Sequence, residues 1–188
     1  MSPASDTRTQ VLDAFAARMA EYGYLGTAMV EVGRAADIRR PSIYHHFPNG
    51  KEEVFTQVAL RFIDKEHARI KAALETRPAL RDKLAALVEV SADSDSRLSL
   101  EQRIYEALNH VSLETRELVS SRYVQDLLSP VSDLFSEAIA QGELRGEPGF
   151  LANAFLSLAK AIDVTDAPDA VTRIVDLFMN GAGPAVRS

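Results

Sequence analysis

Between Thr27 and Phe55 the chain reads TAMVEVGRAADIRRPSIYHHFPNGKEEVF, and few folds satisfy that string. Pro41 forbids a helix interior at its position, because it lacks an N–H and its ring clashes with the preceding turn. In a first helical turn the missing donor costs nothing, and the fixed φ favours helix. A short helix therefore starts near Arg39 and Arg40 and ends at Pro48-Asn49-Gly50. Upstream, Met29, Val32 and Ala36 give an amphipathic helix running to about Ala35, closed by a tight turn at Ala36-Asp37-Ile38. Thr27 stands at the N-cap position of that helix, with Glu31 one place beyond the capping-box offset. Two short helices joined by a tight turn, the second carrying Arg39, Arg40, Ser42, Tyr44, His45 and His46, have the layout of a helix-turn-helix. In that motif the second helix enters the major groove of DNA.

The surrounding segments are helical too. Val11, Phe15 and Met19 make one stripe over residues 8–22, with Gly23 as C-cap. Lys51-Glu52-Glu53 opens a fourth helix whose 25 residues would extend about 37 Å, enough to join a head to a body. Beyond Pro78 helices are expected near 80–92, 101–110, 114–141 with a kink or restart at Ser129 and Pro130, 148–162 and 168–181. Asp93-Ser94-Asp95-Ser96 reads as a loop. Alternating periodicity occurs nowhere. The expected fold is all-α with about nine helices, an N-terminal DNA-binding domain over 1–50 and a C-terminal helical domain over 51–188.

The net charge of −6 hides an asymmetry: residues 1–62 hold seven Lys/Arg against seven Asp/Glu, and the remainder 14 against 20. A neutral head with its cations gathered on one element can grip phosphate while the acidic body stays off the duplex. The chain has no cysteine, which excludes disulfides and thiolate metal sites. The polar start MSPASDTRTQ and the lack of any apolar run near ~18 residues predict no signal peptide or membrane span, hence a cytoplasmic protein. Adjacent histidines on a helix point about 100° apart, and no acid joins them at ligand spacing, so Tyr44-His45-His46 is no metal site. Without a nucleophile–base arrangement or a phosphate loop, an enzyme is not expected, and no cofactor is.

Gly-Tyr followed by Thr27, the turn, and then SIYHHFPNGKEEVF at 42–55 resembles the head of the TetR/AcrR family of bacterial transcriptional regulators, over residues 8–60. The resemblance implies phosphate contacts at Thr27 and Lys51, each at a helix N-terminus. It also places Arg39, Arg40, Pro41, Ser42, Tyr44 and His45 on the DNA-facing element. Arg39 and Arg40 then either read guanine or grip phosphate, Tyr44 and His45 act as backbone clamps, and His46 and Phe47 face inward. Asp37, where the family usually has Gly, and Arg39, in place of Ser or Thr, depart from the pattern, so the operator sequence does not transfer.

The resemblance further implies a homodimer seam from the last two helices, with Phe150, Ala154, Phe155, Leu158, Ile174 and Phe178 as its residues and Ala154, Ser157 and Ala161 permitting close approach. It implies a small-molecule effector, hydrophobic or aromatic from the composition of the body. Phe62, Tyr105, Asn109, His110 and Tyr123 are the candidate pocket residues, against an ordinary reading as a buried tyrosine, a helix-ending asparagine and a surface histidine. His67 reads as an exposed or interdomain residue. A repressor released from a pseudo-palindromic operator is the leading expectation. An activator, a corepressor-dependent regulator and a constitutive DNA-binding protein are the alternatives.

Overall fold

A computed structural model of the chain describes residues 3–75, 77–91, 95–160 and 169–182, and among these every regular element is helical. The helices are α1 (Pro3–Gly26), α2 (Met29–Ala36), α3 (Arg40–His46), α4 (Lys51–Glu75), α5 (Leu80–Ser91), α6 (Asp95–Ala107), α7 (Leu113–Tyr123), α8 (Ser129–Ala140), α9 (Pro148–Lys160) and α10 (Ala170–Ala182). A π-helical turn over Val124–Leu128 joins α7 to α8, so residues 113–140 form one helical run and the described residues hold nine helices. No helix among the described residues is long and apolar enough to cross a membrane.

Contacts divide the chain into two compact units, one of residues 1–63 with 94–122 and the other of 64–93 with 123–188. The first unit is built on α1, whose Val11, Phe15 and Met19 are wholly buried together with Val32, Phe47, Val54 and Phe55 of the neighbouring helices. Burying each such side chain contributes about 1.5–3 kcal/mol. Helix α6 lies along α1 in the same unit, burying Ile104 and Ala107. The second unit closes around three phenylalanines from α8, α9 and α10. Ring centroids of Phe135 and Phe155 lie 5.9 Å apart, those of Phe135 and Phe178 5.4 Å, and those of Phe155 and Phe178 4.9 Å.

Several boundaries differ from the sequence reading. Gly23 takes positive φ (70°) as a C-cap would, yet helical structure resumes for one more turn to Gly26. Thr27 is not the N-cap of α2: Ala28 holds that place without a side-chain cap, and the Thr27 hydroxyl donates instead to the Gly23 carbonyl at 2.7 Å. Helix α6 starts at Asp95, inside the run expected to be a loop, and ends at Ala107 rather than 110. Short polar residues suit first helical turns as well as loops, so the DSDS run fits both.

The restart expected at Ser129 and Pro130 is a π turn with a specific cause. Pro130 has no N–H to give the carbonyl four residues back, that of Asp126. The Ser129 N–H bonds five residues back to Val124, and His67 Nδ1 of α4 lies 2.7 Å from the Asp126 oxygen. Facing a carbonyl, Nδ1 is the protonated nitrogen. His67 is therefore a half-buried partner of the broken helix and not the exposed or interdomain residue expected. On the same helix Glu66, 5% exposed, pairs with Arg69 at 3.3 Å, and Arg69 also donates to the Val90 carbonyl of α5 at 3.0 Å.

Two predictions concern stability. His67→Ala removes a donor to the Asp126 carbonyl and is expected to lower stability by about 1–2 kcal/mol in thermal or urea unfolding; an unchanged midpoint would show that solvent replaces the imidazole at no cost. At Gly33 an added Cβ would meet the Ile38 carbonyl oxygen at 2.9 Å and the Ile43 Cδ1 at 3.0 Å. Gly33→Ala is thus expected to destabilise by about 1–3 kcal/mol despite alanine's better helix propensity, and a stabilised variant would refute the tight approach of α2 to the turn.

Candidate nucleic-acid interface

The helix-turn-helix begins with α2, which ends in a left-handed residue. Asp37 takes φ 54° and ψ 40°, and the Ile38 N–H returns to the Gly33 carbonyl at 2.9 Å, a Schellman-type closure. Asp37 is the one non-glycine residue with positive φ among those described, as the departure from glycine at this place foretold. Glycine would enter this geometry without the penalty that a Cβ brings.

Helix α3 then starts from Arg39, an extended N-cap without a side-chain cap, with Pro41 in its first turn. Ile43 and Phe47, four apart, are buried and pin the helix to the unit. Opposite them Arg39, Arg40, Pro41, Tyr44 and His45 are exposed, while Ser42 and His46 are half-buried. Arg40 lies over the Tyr44 ring, 5.4 Å from its centroid, and the His45 and His46 rings meet edge to face at 5.4 Å. Stacking holds the Arg40 guanidinium on the helix surface and leaves its N–H edge outward. At the other end of α3, Arg8 of α1 lies 4.9 Å over the Phe47 ring and donates to the His46 carbonyl at 3.2 Å. A cation at a helix C-terminus satisfies a free carbonyl and opposes the dipole.

Gly50, at φ 70°, turns the chain into α4, whose first three side chains each bind a different element. Lys51 Nζ sits 4.4 Å from the centroid of Tyr24 in α1, and desolvation by burial lowers its pKa. An anion in contact would push it back up. Glu52 Oε1 accepts the Ser112 N–H at 2.9 Å. Hydrogen bonds from the Ser112 and Thr115 side chains and the Ser112 backbone hold its carboxyl below the usual range. Glu53 accepts the Asn49 N–H at 2.9 Å. The Tyr24 hydroxyl is held above its ordinary pKa by burial first and by the Glu52 charge second.

Of the eight residues expected to face DNA, seven thus lie on one stretch, from Arg39 to Lys51. Thr27 is apart from them: its side chain is fully buried and its hydroxyl is committed to Gly23, so as it stands it joins α1 to α2 from beneath. Arg8, Tyr24 and Glu52 escaped the sequence reading. Their partners lie 38, 27 and 60 residues away, and no local spacing signals such pairs.

The expected pocket residues do not come together. Tyr105 is 74% exposed, which also excludes the ordinary buried tyrosine, and Asn109 and His110 are exposed in the turn that ends α6. Phe62 is buried in the core of the first unit. Tyr123 is half-buried in the second, its hydroxyl 3.5 Å from Lys160 Nζ. The six expected seam residues also divide. Phe155 and Ile174 are 0% and 2% exposed inside the second unit and Phe178 belongs to its aromatic cluster, so packing within the chain already uses them. Phe150, Ala154 and Leu158, with an edge of Phe178, line an open groove of about 600 Å³ on α9 and α10, joined by Leu177, which was not among the expected seam residues. Phe150 and Leu177 are 69% and 63% exposed. Ala161 falls outside the described residues.

Comparison with known proteins agrees with this geometry. Residues 11–58 match the family model for bacterial regulatory proteins of the tetR family. The chain is 28% identical over 145 residues to the HTH-type transcriptional repressor KstR2 of Mycolicibacterium smegmatis, covering 76% of this chain and 69% of that protein. It is 31% identical over 91 residues to the HTH-type transcriptional activator FasR of the same organism, covering 48% and 41%. Among solved structures, a tetR-family regulatory protein from Rhodococcus RHA1 superposes with a TM-score of 0.77 at 22% identity, over 99% of this chain and 100% of that one. AibR in complex with isovaleryl coenzyme A and operator DNA superposes with a TM-score of 0.70 at 20% identity, over 96% and 100%. With a helix-turn-helix whose outer face carries Arg39 and Arg40 over a buried Ile43–Phe47 spine, and with Lys51 opening the next helix, residues 11–58 form a head like that of bacterial regulatory proteins of the tetR family, and the chain is similar to transcriptional regulators of that family.

Proposed function

We propose that the protein is a cytoplasmic homodimeric repressor, released from a pseudo-palindromic operator when a small molecule binds its helical body. The observation that carries the DNA-facing assignment is the exposed cationic face of α3. Arg39, Arg40, Pro41, Ser42, Tyr44 and His45 present themselves to the major groove, and Lys51, against Tyr24, stands at a helix N-terminus suited to phosphate. DNA binding rests with the domain of residues 1–50 together with Lys51 just beyond it, and effector binding and dimerisation with the domain of 51–188. Thr27 supports the head by its hydrogen bond to Gly23.

Repression rather than activation is favoured because the repressor KstR2 matches over three quarters of the chain and the activator FasR over under half. AibR, solved with both a coenzyme A thioester and operator DNA, supports a small-molecule response within this fold. Of the five expected pocket residues Tyr123 alone is retained, and a hydrophobic or aromatic effector fits the composition of the second unit. The effector must bind the free and DNA-bound conformers unequally, lowering DNA affinity by population shift. An effector that raises DNA affinity would identify a corepressor-dependent regulator instead. The dimer seam is placed on the groove of α9 and α10, where Phe150 and Leu177 are otherwise left in water.

Two measurements test this. Arg40→Ala is expected to weaken binding to a duplex selected from a random pool by about 5- to 100-fold and relax base preference. Lys51→Ala is expected to weaken all duplexes alike and lower the salt slope by about one per head; fluorescence anisotropy showing wild-type affinity in Arg40→Ala would remove it from the readout. For the seam, Phe150→Glu combined with Leu177→Glu should yield folded monomers by light scattering, and a persisting dimer would move the interface elsewhere. Phe155→Glu is expected to unfold the second unit, since it would bury an unpaired charge.

A further inference from the structure

Lys51, Glu52 and Glu53 are the stretch that a sequence reading assigns to generic helix-start chemistry, acids near a positive dipole end. In the structure they fasten the first turn of α4 to α1, to α7 and to the turn after α3 respectively. The middle tie spans the greatest distance in sequence. The Glu52 carboxylate sits at the N-terminus of α7, accepting the Ser112 N–H at 2.9 Å, while the Ser112 hydroxyl accepts the Thr115 N–H at 3.2 Å and caps the same helix. The corner that presents this N-terminus is itself braced, since Arg116 Nε donates to the Leu108 carbonyl at 2.7 Å. Thr115 is buried, so the receiving end of the tie is anchored in the first unit.

We propose that Glu52 is a positioning residue for DNA binding: its carboxylate, seated on the N-terminus of α7, fixes the first turn of α4 and so aims Lys51 at the duplex backbone. This rests on the DNA-facing reading of Lys51. Three facts carry it. Glu52 precedes no DNA-facing cation on its own helix, yet it adjoins Lys51 in sequence, so a rotation or fraying of the first turn displaces both. A carboxylate beside a phosphate-binding lysine is electrostatically adverse to DNA and has a reason to stand there only if it does something else. Its hydrogen bonds with Ser112 and Thr115, which also hold its carboxyl below the usual range, show what that is. The tie also gives α6 and α7 a direct hold on the DNA-facing surface within the same compact unit.

The sign of a mutational effect separates this role from simple electrostatics. Glu52→Gln and Glu52→Ala remove the same negative charge, which by itself tightens binding to a polyanion. Only the amide keeps an oxygen to accept the Ser112 N–H. Glu52→Gln is therefore expected to bind a random-sequence duplex as well as wild type or better. Glu52→Ala is expected to bind it roughly 3- to 10-fold more weakly, with the salt slope reduced by about one per head as in Lys51→Ala, and with no further loss in the double variant. Hydrogen exchange over residues 108–116 reports the tie directly, with Ser112 protected in wild type and Glu52→Gln and exposed in Glu52→Ala. Affinity in Glu52→Ala equal to or above wild type overturns the positioning role, as does unchanged Ser112 protection. Circular dichroism of both variants identifies simple unfolding, in which case Glu52→Gln with wild-type exchange and weakened DNA binding overturns the role equally. Wild-type protein that binds no duplex at all, with Ser112 still protected, would instead overturn the DNA reading on which this depends.

Discussion

The proposed DNA-facing surface depends on the burial of two side chains, Ile43 on the underside of a seven-residue helix and Phe47 at its C-cap. Seven residues are too few to hold a helix in water, because nucleation costs more than so few hydrogen bonds return. What stabilises α3 is tertiary: two apolar residues one turn apart sink into the unit, and the opposite face is left to Arg40 and Tyr44. Everything adjoining serves that docking. Gly33 lets the turn come within van der Waals limits of α2, Asp37 accepts a left-handed backbone to make the corner, and Arg8 closes the far end of the helix.

Two prolines show how one chemical fact gives different outcomes according to context. Pro41 lies where a helix has no use for its N–H, so its cost vanishes and it sharpens the start of α3. Pro130 lies inside a helical run and deprives the Asp126 carbonyl of its usual donor. The chain answers with a π turn and with His67 from another helix, turning a helix-breaking residue into a polar contact between α4 and the run from 113 to 140. Charge follows the same logic in Glu52, whose acid is tolerated near a cationic surface because a helix N-terminus accepts it.

The helical class, the helix-turn-helix, the placement of Pro41 and the anomaly at Asp37 were legible in the chain, because periodicity, caps and breakers act over a few residues. The exposed face of α3 from Arg39 to His45 was legible for the same reason, being contiguous and carried by a short helix whose inner residues can be counted. Burial of the expected pocket and seam residues was less legible. Phe150 and Phe155 lie on one helix but five residues apart, about 140° round it, so that Phe150 is exposed while Phe155 is at the heart of an aromatic cluster; apolar residues all round the helix hid which face turned inward. Tyr105 and Asn109 are spaced to share a helix face, but α6 ends at Ala107, so Asn109 falls in the turn that follows, and both residues meet solvent.

What the sequence determined by itself is the helical class, the turn at Asp37, the start of α3 at Pro41 and which short helix carries the cations, since these follow from hydrogen-bond donors, φ preferences and side-chain spacing within a turn or two. Tertiary structure alone decided which apolar residues were consumed by the chain's own core and which were left outward, and which distant groups met. Tyr24 under Lys51, Ser112 on Glu52 and His67 on Asp126 are pairs separated by 27, 60 and 59 residues. Such pairs form when helices pack, so their identity depends on how faces settle together and leaves no mark in the residues around either partner.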